Sequence, residues 1–337
     1  LEWGRMEDRS VLQWDKDDCA AMGIVKFDLL ALGALNGLHL SVDAIREVHG
    51  VDIDLAAIPQ EPVIYDMLTR ADTVGVFQVE SRAQMATLPR MKPKTFYDLA
   101  VEVALIRPGP IQGHSVHPYL RRRNGEEPVR SPHPLTESIL EKTLGVPIFQ
   151  EQLMELARIC AGFTAGQSDR LRQAMTHKRS DEAMGLLRDD VFAGMQANGV
   201  TDAAAEEIWE KLQGFASFGF PESHSVSFAY IVYMSSWLKY HWPTEFLMGL
   251  LNAQPMGFYS PNSLVQDAKH HGVVVLPPDI NQSWFDCTVE PVAPEEDDIA
   301  VYLGMLWRRG RGAFDDPMRS PASLRIGLRY VRNLGDA

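Results

Sequence analysis

Apolar residues recur at helical spacing through most of the chain, and the interruptions fall at glycine and proline. Between Gln150 and about Gly214 the pattern predicts three or four helices parted by Gly162, Gly166 and the Asn198–Gly199 pair. A further helix is predicted from about Ser223 to His241, stopped by Pro243, and another from Thr244 to Leu251. Residues 40–70 alternate at the same spacing around a break at Pro59 and Pro62. Three stretches depart from that pattern. GIVKFDLLALGAL, residues 23–35, is apolar apart from Lys26 and Asp28 and reads as a buried strand running into a helix. The Pro-, Gly- and Arg-rich segment from Pro108 to Pro134 is expected to be a long loop with little regular structure. VVVLPPDINQSWFDCTVE, residues 273–290, turns β-branched and proline-rich, which predicts short strands and a new domain.

The length, 337 residues at 45% hydrophobic and 23% charged, suits two or three core-forming domains and excludes a disordered, collagenous or disulfide-stapled chain. Cys19, Cys160 and Cys287 lie far apart with no CxxC or CxxH, so zinc-site spacing is absent and a reducing cytosol is the simplest setting. The longest largely apolar stretch, Val226–Leu238, is too short for a membrane span. The N-terminus lacks both an initiator Met and an apolar signal core, and the chain reads as a piece of something longer.

A net charge of −13 argues at face value against a nucleic-acid partner. Counting by segment alters that picture. Residues 107–130 carry a net +3, residues 158–179 a net +4 and residues 305–332 a net +5, all dominated by Arg. The planar guanidinium suits phosphate, and three such clusters favour an anionic ligand over solvated surface.

Among residues that could carry chemistry, Asp28 is the sharpest. A carboxylate inside an apolar run is costly unless paired or bound to a cation. The spacing favours a local pair with Lys26, two residues away on the same strand face, over a divalent-metal ligand. RPGP at Arg107–Pro110 fixes one Arg at a rigid turn that either redirects the chain or approaches a ligand closely. Gln150 and Gln152, opening a helix after Pro147, either meet phosphate or base edges or merely cap that helix. In residues 218–243, Ser223 or Glu222 is expected to cap a helix. His224, Phe228 and Ile231 share one of its faces, while Tyr230, Tyr233 and Trp237 share another, Tyr233 and Trp237 being read as core. No nucleophilic triad, Walker loop or strand-borne GxGxxG is present.

QWDKDDCAAMGIVKFDLLALG, GVFQVES, RPGPIQ, FQEQLMELA, ESHSVSFAYIVYMSSWLKYHWPTEF and LNAQPMGFYSP, in that order, resemble the bacterial C-family DNA polymerases, the DnaE-type polymerase III alpha subunits. NAQPMGFYSP, VQDAKHHGV and NQSWFDCTVE are similar to the error-prone, damage-inducible second DnaE-type branch rather than to the main replicase. The resemblance spans essentially the whole chain. It implies a mainly α fold with a small α/β part: the end of a polymerase beta-like palm over residues 1–36, helical fingers over 37–280, and the start of a duplex- and clamp-binding region over 281–337 with a truncated helix-hairpin-helix in IGLRYVRNLG.

The resemblance also implies roles for residues. Asp28 becomes the third catalytic carboxylate and a Mg²⁺ ligand in a two-ion site, against the local pair with Lys26; the other two carboxylates, in a PDxD-like string, are expected upstream of Leu1. Arg107, Arg172 and Lys178 fall near the incoming triphosphate, with His224, Tyr230, Gln150 and Gln152 on the nucleotide or template side. Gln173 stands where the family usually has a second Arg, and His177 where a Lys or small residue is common. Arg121, Arg122, Arg123, Arg329 and Arg332 are expected on DNA. The implied activity is error-prone, translesion DNA synthesis from dNTPs on primer-template DNA, in the nucleoid of the cytoplasm. The implied partners are a sliding clamp and a Y-family-like mosaic accessory protein, with no membrane partner. A non-catalytic DNA-binding module and a main replicase of the same family are the alternatives.

Overall fold

A computed structural model describes residues 2–4, 10–11, 13–14, 16–25, 32–106, 113–176, 180–216, 220–257, 259–291 and 322–331. In chain order the elements are β1 (Glu2–Trp3), β2 (Ser10–Val11), α1 (Lys16–Ala21), α2 (Leu32–His49), α3 (Pro62–Thr69), α4 (Arg82–Met91), α5 (Phe96–Leu105), α6 (Gly113–Arg123), α7 (Glu137–Leu140), α8 (Gln150–Cys160), α9 (Ala165–Thr176), α10 (Ser180–Ala197), α11 (Asp202–Ala216), α12 (Glu222–His241), α13 (Pro243–Asn252), α14 (Pro261–His270), β3 (Val274–Leu276), β4 (Thr288–Pro291) and β5 (Ala322–Arg325). The protein is mainly helical with two small sheets. β1 and β2 pair antiparallel, while β5 lies between β3, to which it runs parallel, and β4, to which it runs antiparallel.

Proline sets several helix starts. Pro62, Pro243 and Pro261 occupy the first turns of α3, α13 and α14, where the missing N–H has no intrahelical partner to lose. Ser260 completes the start of α14 by accepting from the Ser263 N–H at 3.2 Å.

The apolar faces converge on four clusters. The expected helical run from Gln150 becomes α8–α11, closed around Leu153, Leu171, Met195, Ile208 and Trp209. A second cluster packs α2, α13 and α14 with the C-terminal sheet, joining Leu38, Ile45 and Leu251 to Cys287 and Leu324. The third gathers α3, α5 and α12 through Leu68, Leu99, Val232 and Tyr233, which bears out the core reading of Tyr233. The fourth holds α6 and the entry to α8 against the end of α5 through Val101, Tyr119, Leu120 and Phe149.

The structure corrects three expectations. Part of the long loop expected over 108–134 is the helix α6, which continues through Pro118. Burial of Tyr119 and Leu120 and a 2.8 Å bond from Arg122 Nη1 to the Leu144 carbonyl outweigh the local break. The buried strand expected from Gly23 is absent over its described part: Gly23–Val25 form no strand, and Ile24 and Val25 are exposed. Neither Ser223 nor Glu222 caps α12; Pro221 holds that position, and the Glu222 N–H is received by Glu151 Oε2 at 2.9 Å.

Candidate nucleotide and nucleic-acid interface

The starts of α8 and α12 meet. The Gln150 N–H donates to the Phe220 carbonyl at 3.0 Å, and the link from Glu222 to Glu151 ties the two first turns together. Tyr97 Oη donates to Glu222 Oε1 at 2.7 Å. Burial, and then that bond to a carboxylate, push the Tyr97 phenol well above the ordinary range. Acidic residues in a first turn complement the helix dipole, so both helix starts are already balanced by their own carboxylates.

From this junction an aromatic column runs along α12. Exposed His224 lies between Phe220 and Phe228, with ring centroids 5.2 and 4.3 Å away, and Phe77 continues the column 5.3 Å beyond Phe228. Tyr230, also exposed, stacks at 4.7 Å on Phe96. The fold therefore brings Gln150 and His224 to adjoining helix starts, with Tyr230 further along the same helix. Gln152 has a different fate. Its buried Oε1 accepts the Ile148 and Phe149 N–H groups at 2.9 and 3.1 Å, and its Nε2 donates to the Ile139 carbonyl and Thr143 Oγ1. That amide is committed to holding the α8 start, the capping alternative open in the sequence.

On α9, Asp169 organises two neighbours: Arg172 Nε donates to Oδ1 at 2.9 Å and Gln173 Nε2 to Oδ2 at 2.8 Å. The spacing of three and four residues puts all three on one helix face. Gln173, in the place of a second Arg, thus shares the carboxylate that orients the first.

The Arg-rich segment around α6 is paired within the protein. Arg121 and Arg122 both reach Glu127, at 3.0 and 3.2 Å, and Arg130 reaches Glu207 at 2.6 Å. Arg123 grips Asp98 with two parallel bonds of 2.6 and 2.8 Å. Burial pushes the Asp98 carboxyl up, but bonds from Arg123 and from the Lys94 and Thr95 N–H groups outweigh it and hold the carboxyl below its ordinary value. Arg329 pairs with Asp286 at 2.6 Å. The expectation that these clusters present bare positive surface is corrected: the described guanidinium groups named here each face a carboxylate.

Two features escaped sequence reasoning. Glu102, on α5, is fully buried with both carboxylate oxygens unpartnered among the described residues. Its signal, a carboxylate within LAVEVAL, was of the kind that singled out Asp28. The second is a buried quartet. Asp72, Asp267 and His271 place ligand atoms within 4.8 Å of one another, yet Lys239 Nζ already donates to Asp267 at 2.8 Å and lies 3.5 Å from Asp72. The ammonium supplies the positive charge there, so the cluster does not fit a divalent cation. The expected Mg²⁺ site rests on Asp28, which with Arg107, Lys178 and Arg332 lies outside the described residues. No helix among the described residues is long and apolar enough to cross a membrane.

Residues 34–199 match the bacterial DNA polymerase III alpha subunit finger domain. Similarity extends across the whole chain in an error-prone DNA polymerase of Mycolicibacterium paratuberculosis, 55% identical over 350 aligned residues. This chain belongs to the bacterial DNA polymerase III alpha-subunit family. The family's finger domain takes in the chain from the third residue of α2 through α10, including the α8 start, Arg172 and the α6 cluster. Error-prone DNA polymerases of Nocardia farcinica and Corynebacterium jeikeium are 61% and 60% identical over 86% and 87% of the chain. The chain spans about a quarter to a third of the length of these relatives: 32%, 26% and 25%.

Proposed function

We propose that this chain is part of an error-prone DNA-directed DNA polymerase that extends a primer from dNTPs opposite damaged template. Identity of 55–61% to proteins named error-prone DNA polymerase, across 86–100% of the chain, carries this reading. The proposed division is the end of the palm over 1–36, fingers over 37–280 and the start of the duplex-binding region over 281–337.

In this reading Arg172 faces the triphosphate, with Arg107 and Lys178, and offsets phosphate charge as the phosphoryl group transfers. Asp169 holds that guanidinium by one edge, which supports a positioned contact. His224 and Tyr230 present rings on which a base can stack, and Gln150 lies at the junction beside them. For Gln152 and Arg123 the geometry favours support of the fold over direct contact with nucleotide or DNA. Divalent cations, when bound, supply charge stabilisation and an activated primer hydroxyl; Asp28 is the proposed ligand. The sliding clamp and mosaic accessory protein remain proposed partners on the resemblance alone.

The test is primer extension by the longer protein that contains these residues. Asp28→Ala is expected to reduce extension by orders of magnitude while DNA binding persists. Extension equal to wild type would refute the role of Asp28.

A further inference from the structure

Ile280, Trp284 and Phe285 are 80%, 75% and 54% exposed, a concentration of large apolar surface on the single loop joining β3 to β4. The loop is held from both sides. Asp279 accepts the Asn281 N–H on its side chain and the Gln282 and Ser283 N–H groups on its carbonyl. Ser283 Oγ accepts from the Asp279 N–H at 2.9 Å and donates to the Ile326 carbonyl at 3.0 Å. Beyond the tip, the Trp284 and Phe285 carbonyls receive the Leu328 and Arg329 N–H groups at 2.8 and 3.0 Å. Gly327 makes this approach feasible, since a Cβ there would fall 2.4 Å from the Phe285 carbonyl oxygen. Such fixing of a backbone removes the ordering cost of a contact before the contact is made.

The surface has the chemistry of a stacking platform. Trp284 offers an indole, and Phe285 carries the Arg329 guanidinium 5.4 Å from its ring centroid. Arg329 is also bound to Asp286, so the platform has little net charge with which to draw a polyanion. Side chains exposed by three quarters or more project from the surface instead of lining a groove. A protein partner would have to supply a fitted pocket to bury them, whereas an unstacked nucleobase needs only a flat face.

We propose that the Trp284–Phe285 tip stacks the bases of single-stranded DNA. The assignment rests on the DNA-polymerase reading for the presence of such a strand, but adds a contact outside the α8, α9 and α12 positions invoked for nucleotide. Its contribution is stacking, with little counter-ion release.

The test is fluorescence anisotropy with the full 337-residue chain and a short labelled oligonucleotide free of secondary structure, across a salt series. Trp284→Ala is expected to weaken binding roughly five- to a hundredfold, the range for one base on one aromatic ring. Trp284→Phe should retain most of the affinity, and the salt slope should be the same in all three proteins. Thermal melts should coincide, because the side chain is largely exposed. Equal affinity of Trp284→Ala and wild type would overturn the proposal. So would an equal loss on duplex DNA, a loss confined to low salt, or a change in sedimentation behaviour without a change in DNA affinity, which would make the face a protein contact. Because no synthesis is measured, failure here leaves the polymerase reading standing, and failure of primer extension leaves this binding result intact.

Discussion

Glu102 is the residue whose environment departs furthest from its chemistry. Burial pushes its carboxyl up to about 8 from an ordinary 4.5, with Arg123 pulling in the opposite direction. A group raised in the folded state contributes stability that is whole below its unfolded value and is lost as pH rises through the folded one. The window is therefore about 4.5 to about 8, with a slope of about 1.4 kcal/mol per pH unit at most. Glu102→Gln keeps a neutral side chain of the same shape at every pH. In denaturant unfolding it should gain on wild type steadily from pH 5 to pH 8; parallel profiles would mean that Glu102 is ionised and paired in the fold. The same carboxylate shows how sequence is read unevenly. An acid in an apolar run flagged Asp28, while Glu102 gave the equivalent signal within LAVEVAL and was passed over.

Among elements, α2 and α13 make the closest helix–helix approach, and two glycines in it have opposite consequences. A Cβ at Gly249 would lie 2.2 Å from both the Gly37 carbonyl oxygen and Ser41 Oγ. At Gly37 it would meet nothing nearer than the Gly249 carbonyl oxygen at 3.5 Å, an ordinary contact. Gly249→Ala should therefore cost about 1–3 kcal/mol by forcing the helices apart, while Gly37→Ala should be neutral or stabilise by up to about 1 kcal/mol through helix propensity. Equal effects in thermal unfolding would contradict this packing. The helices themselves were largely legible, since α8–α11 and α12–α13 follow from apolar period and from Gly and Pro breaks. The helix α6 was not, because Pro118 and its run of Arg are local signals and the burial that overrides them comes from distant residues.

At the scale of the molecule, the −13 charge and the three Arg-rich segments gave opposing hints about nucleic acid. The described structure moderates both: Arg123 meets Asp98 25 residues away and Arg130 meets Glu207 77 residues away. Local charge counting cannot register such pairs. Family was legible because ordered motifs run the length of the chain. The site was legible in part, as Gln150 and His224 do come together, while the committed amide of Gln152 depends on a fold that brings Ile139 and Thr143 to it. The direct measurement is primer extension by the longer protein across a template abasic site, beside an undamaged template and with Asp28→Ala as control. Extension past the lesion, lost in the variant, is the expected result. Binding to the primer-template without extension on either template would contradict the polymerase reading.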